Sequence, residues 1–407
     1  MMDKILSNAN LKRAALKVRE NNGAAGVDGM KARELLTYLN TNREGVKAAL
    51  RNGTYRPSPI RRVEIPKPDG GKRKLGIPTA MDRFIQQAIL QILTPIYEPR
   101  FSDASYGYRP TRNAHDAVRN CRSYINEGFS WAVDLDIEDF FDTVNHRRIM
   151  QLLSETVKDE RVLSLVWEFL RAGAVWHGNF KPTKKGVPQG GPLSPLLANI
   201  LLDLLDKELE RLGQKFVRYA DDVVILCKTK KDAKHILRHV ADFLERELRL
   251  HVNRAKTEIV CANKIQFLGY GFYKSGGEFR LRVHPKALRR MTAKFDALLE
   301  GSGGKAGIVW KQNLKRYIEG WVRFYRLADL ENTLKMADEA MQRKIRGRVR
   351  TLWEEVLAEL RTKGETRARR AAFPLGTSPA IRPQLSKRQL ENKGFTGFAA
   401  HYAAIAC

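Results

Sequence analysis

The chain is poor in cysteine, poor in acid relative to base, and without a long apolar run. Its four cysteines, Cys121, Cys227, Cys261 and Cys407, are scattered over 407 residues and form no C-x-x-C pair. That excludes a disulfide framework and a cysteine zinc site, and predicts a reducing, cytoplasmic setting. The longest apolar stretch, Leu193 to Leu205, is interrupted by Ser, Pro, Asn and Asp and is too short to span a bilayer. The first twenty residues alternate apolar and charged side chains at helical spacing, which predicts no targeting segment. Acidic residues number 45 against 73 Lys and Arg, a formal net charge of +28. Such an excess calls for an anionic partner, and nucleic acid is the simplest because bound cations release condensed counterions from phosphates. A solvated basic surface or an anionic membrane would be the alternatives. With 43% apolar residues the chain carries more core than a ribosomal-type binder needs.

No internal repeat is visible. Residues 1–59 read as helices broken by the Gly-rich turn Asn22-Gly23-Ala24-Ala25-Gly26, and 60–80 as two short strands around Pro68-Asp69-Gly70-Gly71. Ile85, Ala88, Ile89 and Ile92 line one face of a helix over 82–97, and 194–212 reads as a second long helix. Trp131 to Asp136 reads as a buried strand ending in carboxylates. Lys215 to Cys227 reads as a hairpin turning at Ala220-Asp221-Asp222. Strands and helices interleave irregularly, which predicts an α+β fold. Beyond about residue 285 basic amphipathic helices dominate, and the segment from 361 carries nine Lys or Arg against two acids. The expected domains are therefore 1–59, 60–275, 276–360 and a basic nucleic-acid-binding segment, 361–407.

Phosphoryl transfer to a growing 3′-hydroxyl uses two divalent cations roughly 4 Å apart, held by hard carboxylate oxygens on rigid strands. A strand ending at Asp136 and a hairpin tipped by Asp221 and Asp222 could supply them. An Asp-Asp pair alone is more often a surface turn. Here Val223-Val224-Ile225-Leu226 makes the following strand buried, and acids at the tip of a buried hairpin are costly unless used.

Around these residues the chain resembles the reverse transcriptases encoded by bacterial group II introns, the intron maturases, in particular the short class C type lacking an endonuclease domain. Arg218-Tyr219-Ala220-Asp221-Asp222 carries the resemblance first. Val133 to Asp142 (VDLDIEDFFD) resembles the first palm motif, which implies Asp136 as the metal ligand and makes Asp134 and Asp142 structural. Gly186 to Pro195 (GVPQGGPLSP) resembles the motif packed against the nascent base pair, and Ile65-Pro66-Lys67 through Arg73 the fingers loop. Ser105 to Pro110 (SYGYRP), Phe267-Leu268-Gly269-Tyr270 (a primer-grip hairpin), Gly320-Trp321 (thumb helices) and 389–407 match further landmarks. The absence of a Cys- and His-bearing endonuclease cluster, with the chain ending at Cys407, fits class C.

The resemblance implies a right-hand polymerase, with fingers and palm followed by a helical thumb. It implies Asp136, Asp221 and Asp222 as catalytic residues and, with Ile137, as holders of two Mg²⁺ ions, for which Mn²⁺ could substitute. Lys67 and Arg73 flank a Gly-Gly turn and could fold two cations over a triphosphate; a solvated basic loop is the alternative. Phe141 could lie under the sugar and exclude a 2′-hydroxyl, or simply be a core aromatic, since Phe140 must also be housed. Gln189 and Gly190 offer close backbone approach to base and sugar, and Lys256 could reach the leaving pyrophosphate. His235 and His239, four residues apart, read as a solvated helix face. The expected partners are group II intron RNA, an RNA template with DNA primer, dNTPs and target DNA, with no membrane, as monomer or dimer. The expected function is copying of intron RNA into DNA together with assistance to splicing and mobility. A polymerase-dead splicing cofactor, or a reverse transcriptase taken over for phage defence or diversity generation, are the alternatives.

Overall fold

The structure, a computed structural model, describes residues 1–66, 71–300, 307–363, 397–400 and 403; for 300, 307–311 and 348–363 it describes the backbone alone. Two compact units divide the chain, 1–265 and 266–407. In order, the first holds α1 (Met2–Ile5), α2 (Asn8–Asn21), α3 (Leu35–Arg51), β1 (Ile60–Pro66), β2 (Lys72–Ile77), α4 (Ala80–Tyr97), α5 (Ala114–Asn126), β3 (Trp131–Leu135), α6 (Phe140–Thr143), α7 (His146–Thr156), α8 (Glu160–Arg171), β4 (Ala174–Trp176), β5 (Asn179–Lys181), α9 (Ser194–Arg211), β6 (Lys215–Tyr219), β7 (Asp222–Cys227), α10 (Lys230–Phe243) and β8 (Glu258–Cys261). The second holds β9 (Gln266–Phe267), β10 (Tyr270–Ser275), β11 (Glu278–Val283), α11 (Pro285–Glu300), α12 (Gly307–Tyr325) and α13 (Glu331–Lys363). The fold is α+β, as the irregular interleaving predicts.

The centre of the first unit is an antiparallel sheet ordered β6-β7-β3-β8. Val133, Leu135, Phe216, Val223 and Ile225 point from it into one continuous apolar core with Ala233, Ile236 and Val240 of α10 and most of α9. Helix α5 packs on β6 and β7 and contributes the buried Ala117, Val118, Cys121 and Ile125. The N-terminal helices belong to the same core: buried Asn10 donates to the Ala88 carbonyl of α4 at 2.9 Å and accepts from Gln91 at 2.7 Å. A second sheet, ordered β2-β1-β4-β5, pairs β1 antiparallel to β2 and parallel to β4. Helix α4 starts where Thr79 caps the Asp82 N–H at 3.0 Å, and α9 starts at a Pro-bearing first turn.

In the second unit β9, β10 and β11 form a small antiparallel sheet. Its β9–β10 turn takes Leu268 and Gly269 through positive φ (51° and 81°). Trp321 of α12 packs edge-on against Phe398, which is buried, and Asp338 accepts the backbone N–H groups of Phe398 and Ala399. Of the basic segment expected over 361–407, nearly all lies outside the described residues. No described helix is long and apolar enough to cross a membrane.

Candidate active site

The register of the central sheet decides which carboxylates meet. Leu135 pairs with Val223 and Asp134 with Val224. Directly opposed residues share a face, and so do residues two apart on one strand. Asp134, Asp136 and Asp222 therefore lie on one face at the end of β3 and β7. Tyr219 pairs with Asp222, leaving Ala220 and Asp221 as the hairpin's two turn residues. All four carboxylates are half-buried.

The electrostatics follow from this crowding. Burial, then the charges of Asp134, Asp221 and Asp136, pushes the Asp222 carboxyl up to about 8. Burial also raises Asp221, with Asp136 adding to the rise and Arg73 opposing it. Four acids thus share a partly desolvated pocket in which they cannot all be ionised cheaply without a cation. No three ligand-type side chains among the described residues close into a formed metal cluster. The donor set nevertheless suits a hard divalent cation: carboxylate oxygens, mutually repelling, on rigid strands.

The hairpin turn is built with care. Ala220 adopts φ 60°, a left-handed conformation that costs a non-glycine residue about 1 kcal/mol. Two neighbours hold it there. Arg218, fully buried, donates to the Ala220 carbonyl at 2.9 Å, to Asn199 Oδ1 at 2.9 Å and to both oxygens of fully buried Asp206. From the other side the Ser105–Tyr108 segment lies along β6, with Tyr106 N–H donating to the Arg218 carbonyl at 2.8 Å and Arg218 N–H to Ala104 at 2.9 Å. Gly107 fits because a Cβ there would stand 2.2 Å from the Ala220 nitrogen. Arg109 ties the segment down through Glu98 and the carbonyls of Ser102 and Ser105. Tyr108, 51% exposed and at φ 61°, is left close enough to Asp221 and Arg73 to feel both charges.

Asp136 is pinned from a third direction. Thr257 Oγ1 accepts the Asp136 N–H at 3.1 Å, and Asn253 N–H donates to the Asp136 carbonyl at 2.9 Å. Glu138 N–H donates to His251, so Ile137 bridges Val252 while its own carbonyl takes no part in that pairing. Lys256 is exposed on this same strap, its N–H bonded to the Asn253 carbonyl at 3.1 Å.

Phe141 lies in α6, 9% exposed, its ring edge-on to Phe140 at 5.2 Å. The loop before α9 is zipped to it: Val187 N–H donates to the Phe141 carbonyl and Gly186 N–H to Val144, each at 2.7 Å. His146, buried, donates its Nε2–H to the Gly186 carbonyl at 2.7 Å; burial lowers its pKa, with the Gly186 bond opposing that shift. Gln189 accepts from Gly76 N–H of β2 at 3.0 Å, and Gly190, at φ 135°, has its Cα beside the Gly76 carbonyl, where a Cβ would come within 2.6 Å. Arg62 of β1 reaches Asp142 at 3.1 Å. Arg73 is exposed on β2, paired with Ile65. Lys67 and the turn 67–70 lie outside the described residues.

The structure thus brings Asp136, Asp221, Asp222, Ile137, Arg73, Phe141, Gln189, Gly190 and the Lys256 strap into one unit. Sequence reading missed Arg218, Thr257, Tyr108 and His146 as parts of the site. Arg218 and Tyr108 each fall in a quoted motif but were given no role there, and Arg218 also stands out as a cation in a strand that is otherwise buried; Thr257 and His146 left no signal. His239 faces a single acid, Glu208, at 2.7 Å, and His235 does not join it there.

Residues 65–272 match the reverse transcriptase (RNA-dependent DNA polymerase) family, and 288–364 match the group II intron maturase-specific domain. Protein YkfC of Escherichia coli is 33% identical over 67% of this chain and 84% of its own length. The group II intron-encoded protein LtrA of Lactococcus lactis is 32% identical over 58% of this chain, which spans about half (51%) of that protein. Among solved structures, the partial Cas6-RT-Cas1–Cas2 complex aligns over 60% of this chain and 42% of that one, at 25% identity and a TM-score of 0.39. With one family spanning the sheet that carries the clustered aspartates and the other spanning the helices beyond it, the chain belongs to the group II intron reverse transcriptase/maturase family of RNA-directed DNA polymerases.

Proposed function

We propose that the protein copies group II intron RNA into DNA by two-metal phosphoryl transfer, and binds the same RNA to assist splicing and mobility. The observation that supports this best is the shared face of Asp136 and Asp222 at the end of β3 and β7, with Asp221 on the adjoining turn. Asp136, Asp221, Asp222 and the Ile137 carbonyl would hold two Mg²⁺ or Mn²⁺ ions. When bound, these ions supply charge neutralisation and activation of the 3′-hydroxyl.

The chain's own groups then have distinct work. Arg73, with Lys67, binds the triphosphate of the incoming dNTP from the fingers sheet. Lys256, on the strap that fixes Asp136, faces the leaving pyrophosphate. Gln189 and Gly190 bring their backbone to the nucleotide, and Phe141 supports its sugar. We assign the fingers and palm to 60–275 behind an N-terminal extension, 1–59. The thumb and maturase helices are assigned to 276–360, and target-DNA binding to the basic segment 361–407.

Primer extension on an RNA template with Mg²⁺ tests the reading. Asp136→Ala and Asp222→Ala are each expected to abolish dNTP incorporation while RNA binding stays near normal. Full extension by either variant would overturn it. A protein that restores splicing of the flanking RNA yet never extends a primer would instead support the splicing-cofactor alternative.

A further inference from the structure

The β4–β5 hairpin stands at the edge of the second sheet and exposes aromatic rings among cations. Trp176 closes β4, and His177 and Gly178 make the two-residue turn, both at positive φ (49° and 79°), which is the geometry of a tight hairpin. The Trp176 and His177 rings lie nearly parallel, 5.8 Å apart at 28°. Two ammonium groups approach the Trp176 ring, Lys74 Nζ at 5.7 Å and Lys181 Nζ at 5.5 Å. The strand register explains why: Ala174 pairs with Lys181 and Trp176 with Asn179, so Trp176 and Lys181 share a face. The lateral pairing of Ile60 with Ala174 and of Glu64 with Lys74 brings Lys74 onto that face too. Glu64, its acidic member, is held by Lys72 at 2.7 Å.

Charge on the segment is of one sign. From Phe169 to Leu202 the sequence contains Arg171, Lys181, Lys184 and Lys185 and no Asp or Glu. Lys181, Lys184 and Lys185 are exposed, as are His177 and Asn179, and Trp176 is half-buried. A core tryptophan would be enclosed by apolar groups. This one is half-buried with two ammonium groups over its ring, a face that a planar base can take if the flexible lysine side chains swing out to its phosphates.

We propose that the Trp176 face of the β4–β5 hairpin is a stacking platform for single-stranded RNA, with Lys74 and Lys181 on adjacent phosphates. The reading of the chain as an RNA-copying enzyme is what makes RNA the partner. Aromatic stacking tolerates any base, so the platform would read strandedness rather than sequence. The strand could be template ahead of the polymerase centre or a loop of structured intron RNA.

The test uses the full-length protein and fluorescence anisotropy. One arm has a DNA primer on an RNA template with a long 5′ overhang, and the other a stem-loop RNA. Trp176→Ala is expected to weaken at least one arm roughly tenfold, a typical loss for one stacked base. Trp176→Phe should recover most of it. Lys74→Ala with Lys181→Ala, which leaves the ring in place, should lower the slope of log affinity against log salt by about 0.7 per lysine. Lys158→Gln, exposed on the α7–α8 connection outside the hairpin's sheet, should leave the affinity of both arms unchanged. Loss confined to the overhang assigns template, and loss confined to the stem-loop assigns intron RNA. Wild-type affinity and salt slope in both Trp176→Ala and the double lysine variant would overturn the platform. Extension from a template with a one-nucleotide overhang keeps the two readings apart. If wild type does not extend it, the polymerase reading fails; if Trp176→Ala extends it normally but binds long overhangs like wild type, only the platform fails.

Discussion

Arg218 donates from Nη1 to the Ala220 carbonyl at 2.9 Å, and this contact sets the turn on which Asp221 and Asp222 stand. The guanidinium is itself fixed by Asp206, both side chains being fully buried. Removing one partner of a buried ion pair leaves the other uncompensated, at a cost of roughly 3–5 kcal/mol. Arg218→Met is therefore expected to lower the unfolding free energy from urea titration by that order and to abolish extension, whereas Asp222→Ala is expected to abolish extension without the stability loss. Gly107→Ala should displace the turn from the other side, because its Cβ would meet the Ala220 nitrogen. Wild-type extension by Gly107→Ala would show that the contact is dispensable.

The Asp222 carboxyl makes the metal-free protein sensitive to pH. Its ordinary value is 3.8, and burial with three neighbouring acids raises it to about 8 in the folded chain. Between those values the native state holds a proton that the unfolded chain has lost. Stability from this group is thus complete below about pH 4 and is lost as pH rises towards about 8. In chelator, Asp222→Asn should gain in melting temperature relative to wild type as pH is raised from about 5 to about 9, and Mg²⁺ should narrow that gain. A difference between the two proteins that does not change with pH would show that the carboxylates do not feel one another.

Much of this site was legible in the sequence because strand periodicity is local. The run Val223 to Leu226 and the strand ending at Leu135 could each be read from their own residues, and the α+β class followed from how such runs interleave. The pairing of β3 with β7 was not legible, since a one-residue slip would leave each strand's pattern intact yet put Asp136 and Asp222 on opposite faces. The choice of Asp136 over Asp134 came from family resemblance, and Asp134 turns out to share the face and to act on Asp222. Thr257 and His146 act through bonds to the backbone of distant residues, and no composition or spacing marks such bonds. The division at 265/266 is set by which strands pack together, whereas the sequence reading placed its boundary at 275/276, guided by a change of texture near 285.

Phe141 tests the proposed sugar contact. Its ring is nearly buried against Phe140, but its carbonyl is bonded to Val187 and so its backbone is fixed independently of the side chain. Phe141→Val should keep that bond and open space under the sugar. Ribonucleotide incorporation should rise at least roughly tenfold relative to dNTPs, the lower end of what one methylene is worth in a pocket. Phe141→Ala should do the same with a larger loss of stability, of order 3 kcal/mol. An unchanged dNTP preference in both would identify Phe141 as a core residue only.

Thr257 offers a finer test of how Asp136 is held. Its Oγ1 accepts the Asp136 N–H, so the hydroxyl orients the peptide from which the carboxylate projects. Thr257→Val keeps shape and removes the acceptor, leaving a partly buried N–H without its partner, a loss of about 1 kcal/mol. If that loss falls on the carboxylate's placement, the Mg²⁺ concentration for half-maximal extension should rise roughly fivefold, the same free energy expressed as a ratio. The KM for dNTP, which we assign to Arg73 and the Gln189 loop, should stay put, because those residues lie on β2 and on the loop before α9 and not on the 251–257 strap. Thr257→Ser should restore the metal requirement by returning the oxygen. A stability loss with an unchanged metal requirement would mean that Thr257 serves the fold and not the carboxylate.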